Sequence, residues 1–397
     1  MAESLKFKRE EQVHLGQVNG DVELIDCQVV IPKDGPEIDI KGTLRIRGRT
    51  LIKGSLKCGR LETDCRDEIE IEGDLSVVTS AQVDRGGLLV NGSAQANRFD
   101  VDSSLRVGKN LECKSVNCGG ALTVKGDAKV ERVDVGGAIK VEGTINVEEL
   151  DVGGAISCNT GTIKCVDVGG AFKATGAMEI DNLDVGGAAV VGPGSKILSV
   201  DIGGSFKSLG DLTFERIDVG GMVKIEGDAK GESLDSGGVL KVEGSLTLAG
   251  ELKVGGVVKI GRDFQANESI RVGGTLKVEG TIDSPTIDIG GSIKASHIKA
   301  EKEFRIGRRG EVQGFVEGGR ILIRERARGE SFYGESIRAE ENARVKNLYG
   351  WDIYLERGVT VEGDLLYVST LEMEKDIHLR KEPQKVDKLP PPEKLRI

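Results

Sequence analysis

A period of about seventeen residues constrains the fold of this chain more than any other feature. Successive Gly-Gly doublets are 16, 17 or 18 residues apart through the middle of the sequence. They open at positions 119, 136, 153, 169, 186, 203, 220, 237, 255, 273 and 290. A short and constant period is typical of repeat architectures, and seventeen residues are too few for a helix pair or a propeller blade. They are enough for one coil of a β-solenoid.

Each repeat carries three short segments with strand periodicity. In residues 138–152 the apolar residues form three pairs, and a single polar residue separates the members of each pair. The pairs are Ile139/Val141, Ile145/Val147 and Leu150/Val152. Alternation with period two marks strands that bury one face. The sequence therefore predicts an all-β fold, a single long three-sided β-helix (β-solenoid) with about 17 residues per coil.

Glycine marks the predicted corners between these strands. The doublets are the strongest corner signal, and a second glycine column, which includes Gly126 and Gly143, marks another corner. The doublet corners include Gly136, Gly137, Gly153, Gly154, Gly203, Gly204, Gly220 and Gly221. Because glycine adopts a positive φ without a Cβ clash, we expect these corners to use a left-handed backbone.

The repeat changes character toward both ends, which predicts four segments. These are an N-terminal tail (1–12), a Gly-Gly-marked β-helix (13–298), variant Tyr/Arg-rich β-helical coils (299–380) and a Pro-containing C-terminal tail (381–397). The C-terminal tail holds half of the eight prolines. We expect it to be disordered or loosely docked.

Composition argues against several classes of protein. The formal net charge is −10, whereas nucleic-acid binders usually carry a basic excess. There is no run of 18 apolar residues, and the first residues, MAESLKFKREEQ, lack the apolar region of a secretion signal. Seven cysteines without a CxxC pair favour reduced thiols. These features predict a cytoplasmic protein that does not bind nucleic acid.

Two charged columns follow the repeat. An aspartate precedes most doublets by two residues, and a lysine follows most of them on the adjacent face. The columns are Asp134, Asp151, Asp167, Asp184, Asp201, Asp218, Asp235 and Asp288, and Lys140, Lys173, Lys207, Lys224, Lys241, Lys259, Lys277 and Lys294. The GGxGxD loops of calcium-binding β-rolls are absent, so we expect a solvated acidic face without metal. The lysines either protect strand surfaces or pair laterally with the acidic face of another copy.

The sequence shows no catalytic arrangement. The cysteines fall mostly in the inward register, with Cys113 and Cys165 expected in the column of Val147, while Cys65 has no assigned position. None of the histidines, including His297, sits beside a Ser/Asp or Cys/Asn arrangement of the kind used in catalytic triads. Nucleotide-binding glycine loops are missing as well. We therefore predict no catalytic residue, no cofactor and no small-molecule substrate.

Aromatic residues are concentrated near the C-terminus. All four tyrosines and the single tryptophan lie between 333 and 367, within or beside a stretch that also reverses the charge balance of the chain. They either form a terminal cap or provide the anchors of a docking interface. The candidate interface residues are Phe332, Tyr333, Tyr349, Trp351 and Tyr354.

The chain resembles the bactofilin family. The resemblance lies in the coil length, the glycine corners, the Pro-bearing tail and sequence segments such as GTLKVEGTI (274–282) and VEGDLLYV (361–368). Bactofilins are polymer-forming cytoskeletal proteins of bacteria and archaea, and the resemblance covers about residues 40–370. It implies a right-handed β-helix and nucleotide-independent, end-to-end polymerisation into filaments that scaffold other proteins, often at a membrane.

The function expected from these observations is that of a non-enzymatic structural protein. Its main partner would be itself, as a homo-oligomer or filament, with other proteins and a membrane as further partners. The alternative is a monomeric or dimeric β-helical protein that serves as a docking surface or spacer. A β-helix acyltransferase is the third reading, since hexapeptide β-helices often carry a catalytic histidine, but the six-residue unit of that class is absent.

Overall fold

The computed structural model describes residues 4–395. The protein is all-β, with 67% of its residues in strands, and the strands run parallel in a β-solenoid of about 22 turns of about 17 residues each. This confirms the predicted fold class. The chain divides into two compact units between Ile197 and Leu198.

The described residues of the first unit, 4–197, form twenty-four complete strands. They are β1 (Leu5–Lys8), β2 (Gln12–Leu15), β3 (Gln17–Val18), β4 (Val22–Ile25), β5 (Val29–Pro32), β6 (Glu37–Arg47), β7 (Leu51–Ile52), β8 (Ser55–Asp64), β9 (Ile69–Ile71), β10 (Leu75–Val77), β11 (Ser80–Asp84), β12 (Leu88–Val90), β13 (Ala94–Val101), β14 (Ser104–Val107), β15 (Leu111–Cys118), β16 (Ala121–Val124), β17 (Ala128–Val135), β18 (Ala138–Val141), β19 (Thr144–Val152), β20 (Ala155–Cys158), β21 (Thr160–Val168), β22 (Ala171–Ala174), β23 (Met178–Val185) and β24 (Ala188–Val191).

Strand β25 (Ser195–Ile202) contains the division, and the second unit continues from it. Its strands are β26 (Ser205–Ser208), β27 (Leu212–Val219), β28 (Met222–Ile225), β29 (Ala229–Gly231), β30 (Ser233–Ser236), β31 (Val239–Val242), β32 (Leu246–Leu248), β33 (Glu251–Val254), β34 (Val257–Ile260), β35 (Phe264–Ala266), β36 (Ser269–Val272), β37 (Thr275–Val278), β38 (Thr281–Ile289), β39 (Ser292–Ile306), β40 (Glu311–Ile323), β41 (Arg328–Ala339), β42 (Arg344–Leu355), β43 (Thr360–Val361), β44 (Leu365–Met373), β45 (His378–Leu379) and β46 (Gln384–Lys385). A 3-10 helix spans Pro392–Lys394.

Strands of successive coils stack in parallel register, so that inward positions form continuous apolar columns. In the first unit Val135 lies beside Val152, and Val152 beside Val168. All three are fully buried, whereas the intervening Asp134 and Asp151 are exposed. Each buried aliphatic side chain of this kind contributes about 1.5–3 kcal/mol relative to exposure. The predicted alternation of inward and outward residues is confirmed.

The doublet glycines lie at bends between strands, but their backbone is not left-handed. Among the described residues a positive φ occurs at other glycines, such as Gly35 and Gly194, and at none of the doublets. The expectation of a positive φ was wrong. Glycine is needed because the coils stack closely: a Cβ at Gly153 would lie 2.6 Å from the carbonyl oxygen of Gly136. The bend requires the missing side chain rather than an unusual backbone conformation.

The second glycine column makes room for carboxylates of the preceding coil. The Asp127 carboxylate accepts a hydrogen bond from the backbone N–H of Thr144 at 2.7 Å, and a Cβ at Gly143 would lie 2.5 Å from the same oxygen. In the second unit Asp228 accepts a hydrogen bond from Ser245 N–H at 2.8 Å. These aspartates satisfy corner N–H groups, which otherwise would lack a partner at the bend.

Both predicted tails contain regular structure. Residues 5–8, within the segment expected as an N-terminal tail, form β1 and pair with Val22–Ile25 of β4. The apolar residues of LKFK alternate with lysines, so this segment has the same strand pattern as the coils. In the C-terminal segment β46 pairs with β44, and Leu389 is 3% exposed. The segment is therefore packed against the coils. The outermost parts of both predicted tails, residues 1–3 and 396–397, lie outside the described residues.

One cysteine differs from its predicted position. Cys165 is exposed, because Val147 lies beside Ile163 and Cys165 lies beside Glu149 in the outward column. The coil that contains Cys165 is one residue shorter than its neighbours, so that Val147 lies beside the residue sixteen positions later, Ile163, whereas Cys165 is eighteen positions later. Cys65, which had no assigned position, is buried.

Candidate interaction surface

The structure separates the five candidate interface residues. Phe332 is fully buried inside the solenoid, where it packs in the inward column with Leu348 of the next coil. Its assignment to an interface was wrong, because it occupies the inward phase of β41. Tyr333, one residue later, points outward and lies beside Tyr349 of β42. Trp351 is 37% exposed.

Tyr333 and Trp351 are in contact on the outside of the coils, with ring centroids 6.2 Å apart in an edge-on arrangement. Tyr354 lies on a different strand face. Its hydroxyl donates a hydrogen bond to Glu374 at 2.7 Å, and the Arg338 guanidinium lies 5.3 Å from its ring centroid. The hydrogen bond to Glu374 raises the pKa of Tyr354.

One outward column changes from charged to apolar in the last coils. Asp283, Lys299 and Glu317 lie beside one another in successive strands. The same column continues with Tyr333, Tyr349 and Leu366. We call these three residues, with Phe315 and Val368, the aromatic flank. An apolar group of this size on the outside of a coil requires a cover.

The C-terminal segment of the chain provides this cover. We call residues 384–395 the strap. Leu389 forms a buried cluster with Phe315 and Tyr349, and the other members of the flank pack against it together with Val386 and Leu395. The backbone N–H of Val386 donates to the carbonyl oxygen of Tyr367 at 2.9 Å. Just before the strap, Lys381 forms an ion pair with Asp364 at 2.7 Å.

Burial by the strap changes the electrostatics of the tyrosines. Tyr349 is 4% exposed, and this desolvation raises the pKa of Tyr349, with a smaller contribution from the Asp364 carboxylate. Burial also raises the pKa of Tyr333, to which the carboxylates of Glu317 and the strap residue Glu393 contribute. Both phenols therefore remain neutral hydrogen-bonding groups at physiological pH.

A shallow groove of about 260 Å³ lies beside the aromatic flank. It is lined by Lys299, Glu301, Glu317, Gly318, Gly319, Tyr333, Gly334, Glu335 and Trp351. Three of these lining residues are glycines, and Tyr333 and Trp351 supply the aromatic part of the lining. His297 lies nearby, where its Nε2 is 3.1 Å from Glu317 Oε2 and its ring faces Phe315.

The charged columns lie on the surface, where they were expected. In the first unit Asp134, Asp151 and Asp167 lie beside one another in consecutive coils. Within residues 4–395, no group of three or more His, Cys, Asp or Glu side chains is arranged to hold a metal ion. Several lysines of the other column pair with the glutamate two residues later, just past the end of their strand, for example Lys224 with Glu226 at 2.7 Å. This local pairing reduces the charge that could attract a second copy.

The buried thiols are poor nucleophiles. Desolvation by burial raises the pKa of Cys58, Cys113 and Cys158 to about 12 in each case. A thiol with such a pKa is almost entirely protonated at neutral pH. These cysteines serve as small apolar residues of the core.

The end coils have strand edges with a partner on one side only. In the described part of the chain, β1, β2 and β3 pair with β4, β5 and β6, and no strand covers their other edges. At the C-terminal end, residues 370–373 of β44 pair with β42 and with no other strand among residues 4–395. These edges expose backbone N–H and C=O groups in the geometry that binds a further strand.

Comparison of the chain with models of protein families, with curated proteins and with solved structures gave no match. No helix among residues 4–395 has the length and apolar character needed to cross a membrane.

Sequence reasoning expected the C-terminal tail to be disordered or loosely docked, and it did not identify the surface on which the strap packs. A signal for the strap was present, because Val386, Leu389 and Leu395 are apolar residues spaced among prolines and charged residues. Outward-facing Tyr333 and Tyr349 were a second signal, since a pair of adjacent outward aromatics requires a cover. Neither pattern indicates which segments come together.

Proposed function

We propose that the protein is a non-enzymatic structural protein that assembles end to end, without nucleotide, into filaments that scaffold other proteins. The resemblance to bactofilins supports this role. The observation that carries the proposal is that the terminal coils combine unpaired strand edges with apolar inward side chains. When two such ends meet, their edge strands can pair and their inward apolar side chains can pack against each other.

At the N-terminal end the edge strand β1 presents Leu5 and Phe7. Both are half-buried, and they stack on the fully buried Val22 and Leu24 of the next coil. They occupy the inward column but have a neighbouring coil on one side only. A coil added outside β1 would complete their burial.

At the C-terminal end Leu371 and Met373 occupy the equivalent inward column. They lie beside the buried Ile353 and Leu355. Met373 nevertheless remains 45% exposed, because no further described coil stacks on it. An inward methionine that is this exposed leaves part of the apolar core uncovered at the end coil.

Joining the two kinds of end needs no chemical energy. It pairs free backbone groups by strand addition and buries apolar side chains on both sides. The assembly would therefore be driven by the same interactions that stack the coils within one chain, and nucleotide hydrolysis would not be required.

The alternative is a discrete monomer or dimer that serves as a docking or spacer protein. One observation favours it: the N-terminal edge strand carries Lys6 and Lys8 on its outward face, followed by Arg9. Lysines on an edge strand discourage strand addition. The two functions differ in the mass of the particles that they predict.

Light scattering and negative-stain microscopy of the full chain over a range of concentrations test the proposal. We expect the mass to increase with concentration to the same extent with and without ATP or GTP. The variant Met373→Lys places a charge in the inward column of the end coil and should shift the distribution to single chains.

Glu372→Lys is the matched control, because Glu372 is the neighbouring outward residue and is exposed. This variant should assemble like the natural chain. Single chains at every concentration for the natural protein would instead support the docking or spacer function. Equal assembly of the Met373→Lys and Glu372→Lys variants would exclude the C-terminal edge as the contact.

A further inference from the structure

The aromatic flank and the strap are a binding site and its ligand within one chain. The flank begins where the outward column changes from Glu317 to Tyr333, and the strap lies over the apolar part. Leu389 is buried to 3% exposure although it belongs to no strand. Beyond the two residues of β46, which pair with β44, the strap is therefore held on the flank by side-chain packing.

The strap is only lightly attached to the coils by its backbone. Its strand β46 contributes two residues, which pair with Leu366 and Tyr367. Beyond it, three consecutive prolines at 390–392 lack the N–H group that a strand ladder would need. Asp387 and Lys388 are exposed. A segment with few backbone hydrogen bonds and many exposed residues opens at a low free-energy cost.

The segment that joins the strap to the last coil can act as a hinge. Residues 380–382, which lie between β45 and the strap, are exposed. The ion pair between Lys381 and Asp364 is on the surface and contributes little to holding this segment. The strap can thus leave as a unit while β45 stays paired with β43.

We propose that the aromatic flank is a docking site for the strap of a second copy of this chain, which the chain's own strap occupies in the single molecule. Every copy carries both the flank and the strap, so an exchanged strap makes the same contacts as the original one. In dilute solution the chain's own strap occupies the flank in preference to the strap of another copy, because the covalent connection holds it at a high effective concentration. Two chains held side by side remove that advantage. This contact is lateral and is separate from the end-to-end contact proposed above.

The first test measures binding of a fluorescein-labelled peptide of residues 384–395 to the full chain. Leu389→Asp in the chain should release its own strap, and we expect saturable binding of the natural peptide. The flank of the natural chain is already occupied by its own strap. Its affinity for the peptide should therefore be lower by a factor of about ten or more. Trp351, the single tryptophan, contacts Tyr333 of the flank, and we expect its fluorescence to change when a strap covers Tyr333.

The control chain carries Lys388→Asp, which places the same side chain at an exposed neighbour and changes the net charge by −2, compared with −1 for Leu389→Asp. Its strap should stay in place, and it should bind the peptide as weakly as the natural chain. A peptide that carries Leu389→Asp should not bind. If Leu389→Asp prevents folding, Val386→Asp releases the strap at its other apolar anchor and serves in the same assay.

The second test uses two full chains with complementary defects. Tyr349→Asp removes the site and keeps the strap, whereas Leu389→Asp removes the strap and keeps the site. Mixing these two chains should give a heterodimer in native mass spectrometry, in a Met373→Lys background that blocks end contacts. Folded variants that neither bind the peptide nor form the heterodimer would overturn the proposal, and so would equal binding of the natural and Leu389→Asp peptides.

Discussion

Single residues determine whether a coil can close, because successive side chains alternate between a packed interior and solvent. Val219 is fully buried, while Asp218 beside it is exposed. The same contrast recurs one coil later, where Leu234 is buried and Asp235 is exposed. A polar or charged side chain introduced at an inward position therefore has no access to solvent.

We predict that Val219→Asp destabilises the fold by several kcal/mol, because an unpaired carboxyl group would be buried. Burial would raise the pKa of the new carboxyl above its unfolded value of about 4, so the loss of stability relative to the natural chain should be smallest at or below that pH and grow as pH rises. Thermal unfolding at pH 4 and pH 7 measures this. Asp218→Asn should change the midpoint little at either pH, and equal effects of the two substitutions would contradict the inward register.

At the scale of elements, the corners are built from close stacking of bends. A Cβ at Gly153 would lie 2.6 Å from Gly136 O, and this distance is too short for any side chain. At Gly16 the nearest atom to an added Cβ, Asp34 Oδ2, would be 3.4 Å away, and φ there is not positive. The two glycines thus differ in the space available to them.

Gly153→Ala should lower the stability by about 1–3 kcal/mol, since the coils would have to separate to accept the methyl group. Gly16→Ala should leave it unchanged or raise it slightly, because alanine reduces the entropy of the unfolded chain. Thermal unfolding followed by circular dichroism compares the two variants. A neutral effect of Gly153→Ala would mean that the bends relax more easily than their spacing indicates.

At the scale of the whole molecule, most contacts of a coil are with the coils before and after it, as in other solenoids. Stability should therefore be distributed locally. We predict that Val152→Asp accelerates amide hydrogen exchange in β17, β19 and β21, which pair around the substituted position. Exchange in β33 and β36 of the second unit should not change.

Hydrogen exchange followed by mass spectrometry on the natural chain and the Val152→Asp variant makes this comparison. Val254→Asp, at a buried position of β33, is the reciprocal control and should affect the second unit alone. A uniform acceleration across both units in either variant would show that the chain unfolds as a single cooperative body.

The repeating part of the fold could be predicted because its information is local. The pair Ile139/Val141 and the doublet Gly153-Gly154 recur at the coil period, and a period of this length leaves few architectures open. The prediction failed where the coil length changes. The coil around Gly161 is shorter, so Ile163 is inside and Cys165, which was expected inside, is outside. The cause of the glycine corners was also misjudged, because the distance between stacked bends depends on neighbouring coils.

The sequence by itself thus determined the all-β class, the coil length, the inward columns and the location of the corners, since each follows from the order of residues within about seventeen positions. Only the tertiary structure decided what the C-terminal aromatics do. Phe332 and Tyr333 are adjacent in the sequence, yet one fills the core and the other lies under the strap. Leu389 reaches Phe315 across more than seventy residues. No period links those positions, because their contact arises from the packing of side chains that are close only in the folded chain.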